Sequence, residues 1–228
     1  MRYTTLLIDI DETILDFYAA ERAALECAFK TRSLPYSDKV FKKYHKINDD
    51  LWKAYERGEI AKDVIRPRRF EELYAALGLD GDPEILANEY VNQLSRQGQL
   101  IDGATDFLTE VRKKFSVYAV TNGIGTVQQG RFDKADLWKY FDDVFISEQV
   151  GFGKPDKRYF DYVLSKVTEK DKSKILVIGD SPTSDIKGAQ NVGLDSLLFR
   201  RRAADYPPYA PPTFIAESYS EIISIIEK

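Results

Sequence analysis

A single cysteine, Cys27, and a single histidine, His45, stand in a chain of 228 residues, and that scarcity removes whole classes of chemistry. With one thiol no intramolecular disulfide can form, so a reducing, cytoplasmic setting is expected. The same two counts exclude a Cys/His zinc site, a four-cysteine cluster and an HExxH metalloprotease helix. A histidine-based nucleophilic triad has only His45 to draw on. Strong charge of one sign is missing as well: Lys and Arg number 33 against 37 Asp and Glu, a formal net charge of −4. Such a chain is not a polycation held to a nucleic-acid polymer by counterion release. No apolar run approaches the ~20 residues of a membrane span. The short run Leu6-Leu7-Ile8 is followed at once by acidic residues, unlike a signal peptide. A soluble protein without nucleic-acid or membrane partners is expected. What is present is a 43% hydrophobic, 31% charged balance that fills a core and stays soluble. The length suits one large domain, or a core carrying an inserted subdomain.

Short apolar runs rich in β-branched residues recur along the chain at Thr5–Ile8, Val117–Val120, Val144–Ile146, Ile175–Ile178 and Ser196–Phe199. They are apolar at consecutive positions, the mark of strands buried on both faces. The stretches Asp102–Phe115 and Pro155–Lys166 read as crossover helices, and the alternation predicts a parallel sheet covered on both sides. A last short strand is expected near Thr213–Ala216, after the Pro-rich loop Pro207–Pro212. A terminal helix follows, opened by Ser218 and Glu221 at capping-box spacing.

From about Asp16 to Gly98 the alternation stops. Leu25, Phe29, Val40, Tyr44, Leu51, Tyr55, Phe70, Leu73, Leu77, Leu86 and Tyr90 recur at helical spacing, predicting about four helices. The chain thus divides into an α/β core, residues 1–15 and 99–228, and a helical cap, residues 16–98. Hinges are expected at Phe17-Tyr18 and at Gly98–Gly103.

In an open parallel sheet, ligands bind beyond the carboxyl ends of the strands. There the chain places Asp9-Ile10-Asp11-Glu12-Thr13, then Thr121-Asn122-Gly123, then Lys154-Pro155, then Gly179-Asp180 with Asp185. Taken singly, each is an ordinary turn, cap or surface group. Four in order, each after a buried strand, make one site. The chemistry suits phosphoryl transfer. Asp9 can attack phosphorus. Asp180, helped by Asp185, can hold Mg²⁺, a hard cation that takes oxygen ligands. Lys154 adds positive charge where it builds on the phosphoryl oxygens. Asp11, two positions beyond Asp9 and on the same side of an extended strand end, can protonate the leaving oxygen and later deprotonate water. Thr121 and the amides near Asn122 supply neutral donors to the phosphate.

These residues resemble the four motifs of the haloacid-dehalogenase-like (HAD) superfamily, and the resemblance covers nearly the whole chain. It implies a doubly wound, parallel-sheet Rossmann-like core with an inserted all-helical cap subdomain of type 1. It also implies Asp9 as nucleophile and magnesium ligand, and Asp11 as acid/base and a ligand through its backbone carbonyl. Asp180 would be a side-chain ligand and Asp185 a ligand or a partner behind it. The common first motif carries glycine where Glu12 stands; an acidic residue there marks the nucleotidase branch. Within the superfamily the chain looks most like the bacterial pyrimidine 5′-nucleotidases. The supporting stretches are Ile47–Trp52 with Tyr55, Gly58 and Arg69, then Thr121–Gly123, Ser147–Gly151 and Lys154–Lys157. That branch implies hydrolysis of a small phosphorylated metabolite, a nucleoside monophosphate such as UMP, dUMP or dTMP.

Asn48, Trp52, Tyr55 and Arg69 are the candidate specificity residues of the cap. Trp52 or Tyr55 can stack on a base or simply fill the cap core, and His45 is expected to be a surface or packing residue. The basic runs Arg66–Arg69 and Arg200–Arg202 read as solvated surface, with a phosphate or base role open for Arg69. An EF-hand is excluded because Ile14 stands where that loop needs glycine. A Walker loop is excluded because Pro155 replaces the Ser/Thr. Gly123-x-Gly125 lacks the third glycine of a dinucleotide fingerprint. The same core chemistry would also serve a phosphatase or mutase of sugar phosphates. A dehalogenase or phosphonatase would typically lack Asp11. A phosphorylated receiver module would be about half the length and carry its Asp on a middle strand.

Overall fold

The computed structural model describes residues 2–201 and 211–228. Most of the Pro-rich loop and Arg202 lie outside the described residues. After strand β1, Thr5–Ile8, come four helices: α1 Phe17–Thr31, α2 Asp38–Glu56, α3 Lys62–Leu77 and α4 Pro83–Leu94. The chain then alternates through α5 Ala104–Arg112, β2 Ser116–Thr121, α6 Gly125–Ala135, β3 Asp143–Ile146, the single-turn α7 Ser147–Val150 and α8 Lys157–Lys166. It ends with β4 Ile175–Gly179, α9 Lys187–Asn191, β5 Asp195–Phe199, β6 Phe214–Ala216 and α10 Tyr219–Ile226.

All strand pairings are parallel, in the order β3-β2-β1-β4-β5-β6. The order runs outwards from the β1–β4 pair, so the switch point of this doubly wound sheet lies between those two strands. Successive residues face opposite sides of a strand, and both sides are covered. Leu6 and Ile8 pack with Phe107, Leu108 and Val111 of α5, while Leu7 packs with Tyr159, Phe160 and Val163 of α8. This is why the middles of the core strands are apolar at consecutive positions. The register sets Ile8 beside Ala119 and Ile178, so the polar residues just beyond each strand emerge at one level.

The helices form where their caps allow. Gly103, at φ 83°, delays α5 to Ala104, and Asp156 accepts from Arg158 N at 2.8 Å to start α8 at Lys157. Ser218 accepts from Glu221 N at 3.3 Å, opening α10 as its spacing predicts. The inserted helices enclose an apolar cluster of their own, including Leu25, Phe29, Tyr44, Phe70, Leu73, Leu86 and Tyr90.

The expected hinge at Phe17-Tyr18 is corrected. Those residues form the first turn of α1, capped by Asp16, whose carboxylate accepts from Ala19 N at 2.9 Å. The chain enters and leaves the insert on two adjacent extended segments instead. Asp16 N donates to Gln99 O at 2.9 Å and Ile101 N to Ile14 O at 3.0 Å. Among the described residues no helix is long and apolar enough to cross a membrane.

Candidate active site

Asp9 follows the last residue of β1, and its amide donates to Ile178 O of β4 at 2.8 Å, fixing it at the switch point. Only 6% of Asp9 is exposed. Lys154, on the loop before α8, reaches it through Nζ at 2.5 Å. The same ammonium donates to Asp185 Oδ1 at 2.7 Å and to Val120 O at 2.9 Å. Asp180, beyond β4, completes a cluster in which oxygens of Asp9, Asp180 and Asp185 lie within 4.8 Å of one another.

Three buried or half-buried carboxylates thus face one ammonium. Burial pushes the Asp9 carboxyl up to about 8, against the pull of Lys154. Burial, then the charges of Asp9 and Asp185, lifts Asp180 well above the usual carboxylate range. Burial opposes the Lys154 ammonium, but Asp185 and Asp9 outweigh it and hold it above the ordinary lysine value. With all three carboxyls ionised the cluster would exceed its one ammonium by two negative charges, and burial resists that state by holding protons on Asp9 and Asp180. An all-oxygen donor set with that excess fits a hard divalent cation. Both oxygens of Asp185 already accept, from Lys154 and from Ser181 N at 3.1 Å. Gly179 makes that approach possible, since a Cβ there would fall 2.2 Å from Asp185 Cγ.

Asp11 lies on the same rim, gripped from α6. Arg131 pairs with its Oδ1, and Gln128 Nε2 donates to Oδ2 at 2.9 Å. Gln128 Nε2 also donates to Thr121 Oγ1 at 2.7 Å, and Gly123 N donates to the same oxygen at 3.1 Å, leaving the Thr121 hydroxyl hydrogen free to donate. The Asn122 side chain serves the loop of Lys154, accepting from Lys154 N and donating to Lys154 O, both at 2.8 Å. Its amide is therefore committed to positioning Lys154, and the backbone remains as the donor to an anion at this turn.

Glu12 sits at φ 60°, the left-handed region that favours glycine. Its carboxylate compensates by accepting from Tyr18 N at the start of α1 at 2.7 Å and facing Arg201 at 3.5 Å. The glycine of the common motif thus corresponds to a real backbone demand, met here by an acid that caps the first inserted helix.

Between these strand ends and the inserted helices lies a cavity of about 850 Å³, within the range of small-molecule sites. Asp9, Asp11, Thr121, Lys154 and Asp180 line it from the sheet; His45, Asn48, Trp52, Glu56 and Arg69 line it from the helices. Tyr55 is not in that lining. Its hydroxyl lies 2.4 Å from where a Cβ on Gly153 would be, against the Lys154 loop.

Asn48 is 3% exposed and bound at both ends: Nδ2 donates to Glu21 Oε1 at 2.8 Å, and Oδ1 accepts from Arg69 Nη1 at 3.0 Å. His45 Nδ1 lies 2.6 Å from the other oxygen of the fully buried Glu21, and that hydrogen bond raises its pKa. Within the first basic run, Arg66 and Arg68 pair with Asn88 and Glu72 on the exposed surface. Arg69 instead turns inward, 2% exposed, with its Cζ 4.9 Å from the Tyr90 ring centre. Its Nε and Nη2 have no hydrogen-bond partner.

Gln128, Arg131, Glu21, Glu56 and Lys62 are additions that motif reading missed. Glu56 accepts from Thr183 beyond β4, and burial raises its carboxyl. Lys62, whose burial lowers its ammonium to about 8, donates to Gly123 O at 2.9 Å and Ser147 Oγ at 2.7 Å. These two tie the inserted helices to the rim of the sheet. The available signal for Gln128 and Arg131 was their spacing of three on one helix, which sets both on one face.

The fold and its strand-end carboxylates define a hydrolase of the aspartate-centred α/β type. The chain belongs to the haloacid dehalogenase-like hydrolases, whose family profile matches residues 3–193. It is 37% identical to the HAD-hydrolase YfnB of Bacillus subtilis in a magnesium-bound crystal structure, with a TM-score of 0.95 and 100% of both chains covered. It is also 35% identical to the pyrimidine 5′-nucleotidase PynA of Streptococcus pneumoniae, over 100% of this chain and 97% of that protein. Identity to the pyrimidine 5′-nucleotidase YjjG of Escherichia coli is 30%, with both chains covered in full.

Proposed function

We propose that this chain is a Mg²⁺-dependent phosphatase that hydrolyses pyrimidine nucleoside 5′-monophosphates through an aspartyl-phosphate on Asp9. The observation that carries the reading is the buried cluster of Asp9, Asp180 and Asp185 around Lys154, with Asp11 two residues beyond the nucleophile. The names of PynA and YjjG, matched over the whole chain, support the nucleotide assignment.

Asp9, Asp180 and the backbone carbonyl of Asp11 would hold the cation, with Asp185 either joining them or orienting Lys154. When bound, Mg²⁺ offsets the charge of the cluster and of the incoming phosphate. A carboxylate oxygen of Asp9 attacks phosphorus, and the bond from phosphorus to the ribose O5′ breaks. Asp11 gives its proton to that departing oxygen. Water then attacks the aspartyl-phosphate, Asp11 takes the proton back, and inorganic phosphate leaves with Asp9 restored. Lys154 and the Thr121 hydroxyl face the charge that develops on the phosphoryl oxygens.

Residues 1–15 and 99–228 form the catalytic core in this reading, and residues 16–98 the cap that selects the substrate. Trp52 offers a ring surface for a base. Arg69 offers a free guanidinium edge for ring carbonyl oxygens, oriented by Asn48 and Glu21. The cytoplasm is the proposed setting, supported by the free, exposed Cys27.

A panel of nucleotides and sugar phosphates assayed with and without Mg²⁺ tests the reading. Phosphate release that requires Mg²⁺ and favours pyrimidine monophosphates is expected. A preference for hexose phosphates would overturn the substrate, and appreciable turnover by pure Asp9→Asn would overturn the mechanism.

A further inference from the structure

We propose that Arg131 and Gln128 form a positioning clamp that aims the Asp11 carboxyl at the leaving oxygen and sets its distance from the phosphate-binding Thr121. The proposal rests on the acid/base role assigned to Asp11 above. It adds two residues on α6 that belong to none of the four strand-end motifs.

Three observations support the clamp. First, both oxygens of Asp11 are held from one helix face, Oδ1 by Arg131 Nη1 and Oδ2 by Gln128 Nε2 at 2.9 Å. Second, the clamp is internally braced. Arg131 Nη1 donates to Gln128 Oε1 at 3.3 Å, and Gln128 Nε2 continues to Thr121 Oγ1 at 2.7 Å. One unbroken chain of hydrogen bonds therefore runs from the acid to the hydroxyl that would meet the phosphate. Third, the backbone makes room for it. A Cβ on Gly123 would lie 2.5 Å from Gln128 Cγ, so the turn after β2 admits Gln128 because glycine stands there.

Burial makes the arrangement directional. Arg131 is 1% exposed and Gln128 0%. Among the described residues, Asp11 is the carboxylate within ion-pair distance of Arg131. A guanidinium at that depth has few other acceptors for its donors, so the Asp11 side chain, protonated or ionised, is kept within its reach on the α6 side of the rim. The ring of Phe17, the first residue of the inserted helices, lies against the guanidinium, its centre 5.5 Å from Arg131 Cζ. Its Nε and Nη2 make no hydrogen bond. The orientation of Asp11 therefore depends on one charged contact and one amide contact.

A brace that merely stabilises α6 and a clamp that aims a general acid differ in one measurable way. Loss of a general acid hurts a substrate whose leaving group needs a proton, such as UMP, far more than p-nitrophenyl phosphate, whose leaving group departs as the anion. The experiment measures kcat/KM for both substrates in the full-length enzyme with Mg²⁺, for the wild type, Asp11→Asn, Arg131→Met, Arg131→Lys and Gln128→Met. General acid catalysis is worth about 10²–10⁴-fold. Arg131→Met is therefore expected to lower the UMP/p-nitrophenyl phosphate ratio by about tenfold or more, in the same direction as Asp11→Asn. Arg131→Lys, which keeps one charged donor, is expected to recover part of that ratio. Gln128→Met carries the test if Arg131→Met does not fold, and it is expected to shift the ratio in the same direction. Equal losses on both substrates in folded clamp variants, with the ratio still falling in Asp11→Asn, would overturn the clamp and leave the mechanism standing. An unchanged ratio in Asp11→Asn would overturn both the acid role and the clamp built on it.

Discussion

At the strand ends Asp9 and Asp185 share the Lys154 ammonium with Asp180 clustered beside them, whereas in the inserted helices Glu21, Asn48, His45 and Arg69 satisfy one another. Asp9, Asp185, Lys154, Glu21, Asn48 and Arg69 are buried, Asp180 and His45 partly so, and both groups line one cavity through some of their members. With its carboxyls ionised the first would exceed its one ammonium, and its all-oxygen donor set fits a divalent cation. The second is nearly closed, with the Nε and Nη2 edge of Arg69 among its buried atoms left without a hydrogen bond. The difference separates chemistry from selection. On the proposed function, the unbalanced site would take up the metal and the phosphoryl group, and the balanced one would present the edge that selects the base.

The largest effect that sharpens this contrast comes from removing the one ammonium. Lys154→Met leaves Asp9 and Asp185 buried without their counter-charge and is expected to cost about 3–5 kcal/mol in urea unfolding. Mg²⁺ should restore part of that loss, since binding to the folded state alone stabilises it by mass action. A loss below 1 kcal/mol would show that the strand-end cluster is not short of positive charge, and the contrast would break there.

A smaller change probes the other region. Arg69→Met should lower the ratio of kcat/KM for UMP to that for ribose 5-phosphate by about tenfold, or 1.4 kcal/mol. Equal losses on both substrates would make Arg69 a brace of the helices instead of a reader of the base.

The smallest effect concerns His45. Its hydrogen bond to Glu21 raises its pKa in the folded chain above the ordinary 6.5. The stabilisation is therefore fully present below pH 6.5 and is lost as pH rises through the folded value. Because the imidazole is 40% exposed, the effect should stay near 0.5 kcal/mol or less. Thermal melts at low and high pH should show it in the wild type and not in His45→Gln.

The two regions were not equally legible in the sequence. Strands apolar at consecutive positions announce burial on both faces, and the strands and the loops after them deliver polar residues to a common rim, so Asp9, Asp11, Thr121, Lys154 and Asp180 could be placed from their order. The cap could be recognised as helical and its apolar positions named, because period and composition survive without knowledge of packing. Which polar residues turn inward could not be read. Arg66, Arg68 and Arg69 look alike in one basic run, and only the rotation of α3 separates a surface pair from a buried guanidinium. Arg131 and Asp11 are 120 positions apart, and nothing local to α6 names its partner. Tyr55 resembled a stacking residue by type, yet the rotation of α2 sends its hydroxyl to Gly153. Phe17 and Tyr18, expected as a linker, belong instead to the first turn of α1 for a local reason, since Asp16 and Glu12 cap the helix there.

The central claim is that Asp9 carries the phosphoryl group. Acid-quenching the wild-type enzyme during turnover of UMP with Mg²⁺, followed by peptide mass analysis, tests it most directly. Phosphate on the peptide that contains Asp9, absent from Asp9→Asn, is the predicted result. Steady turnover with phosphate on another residue, or undiminished phosphate release by Asp9→Asn, would contradict it.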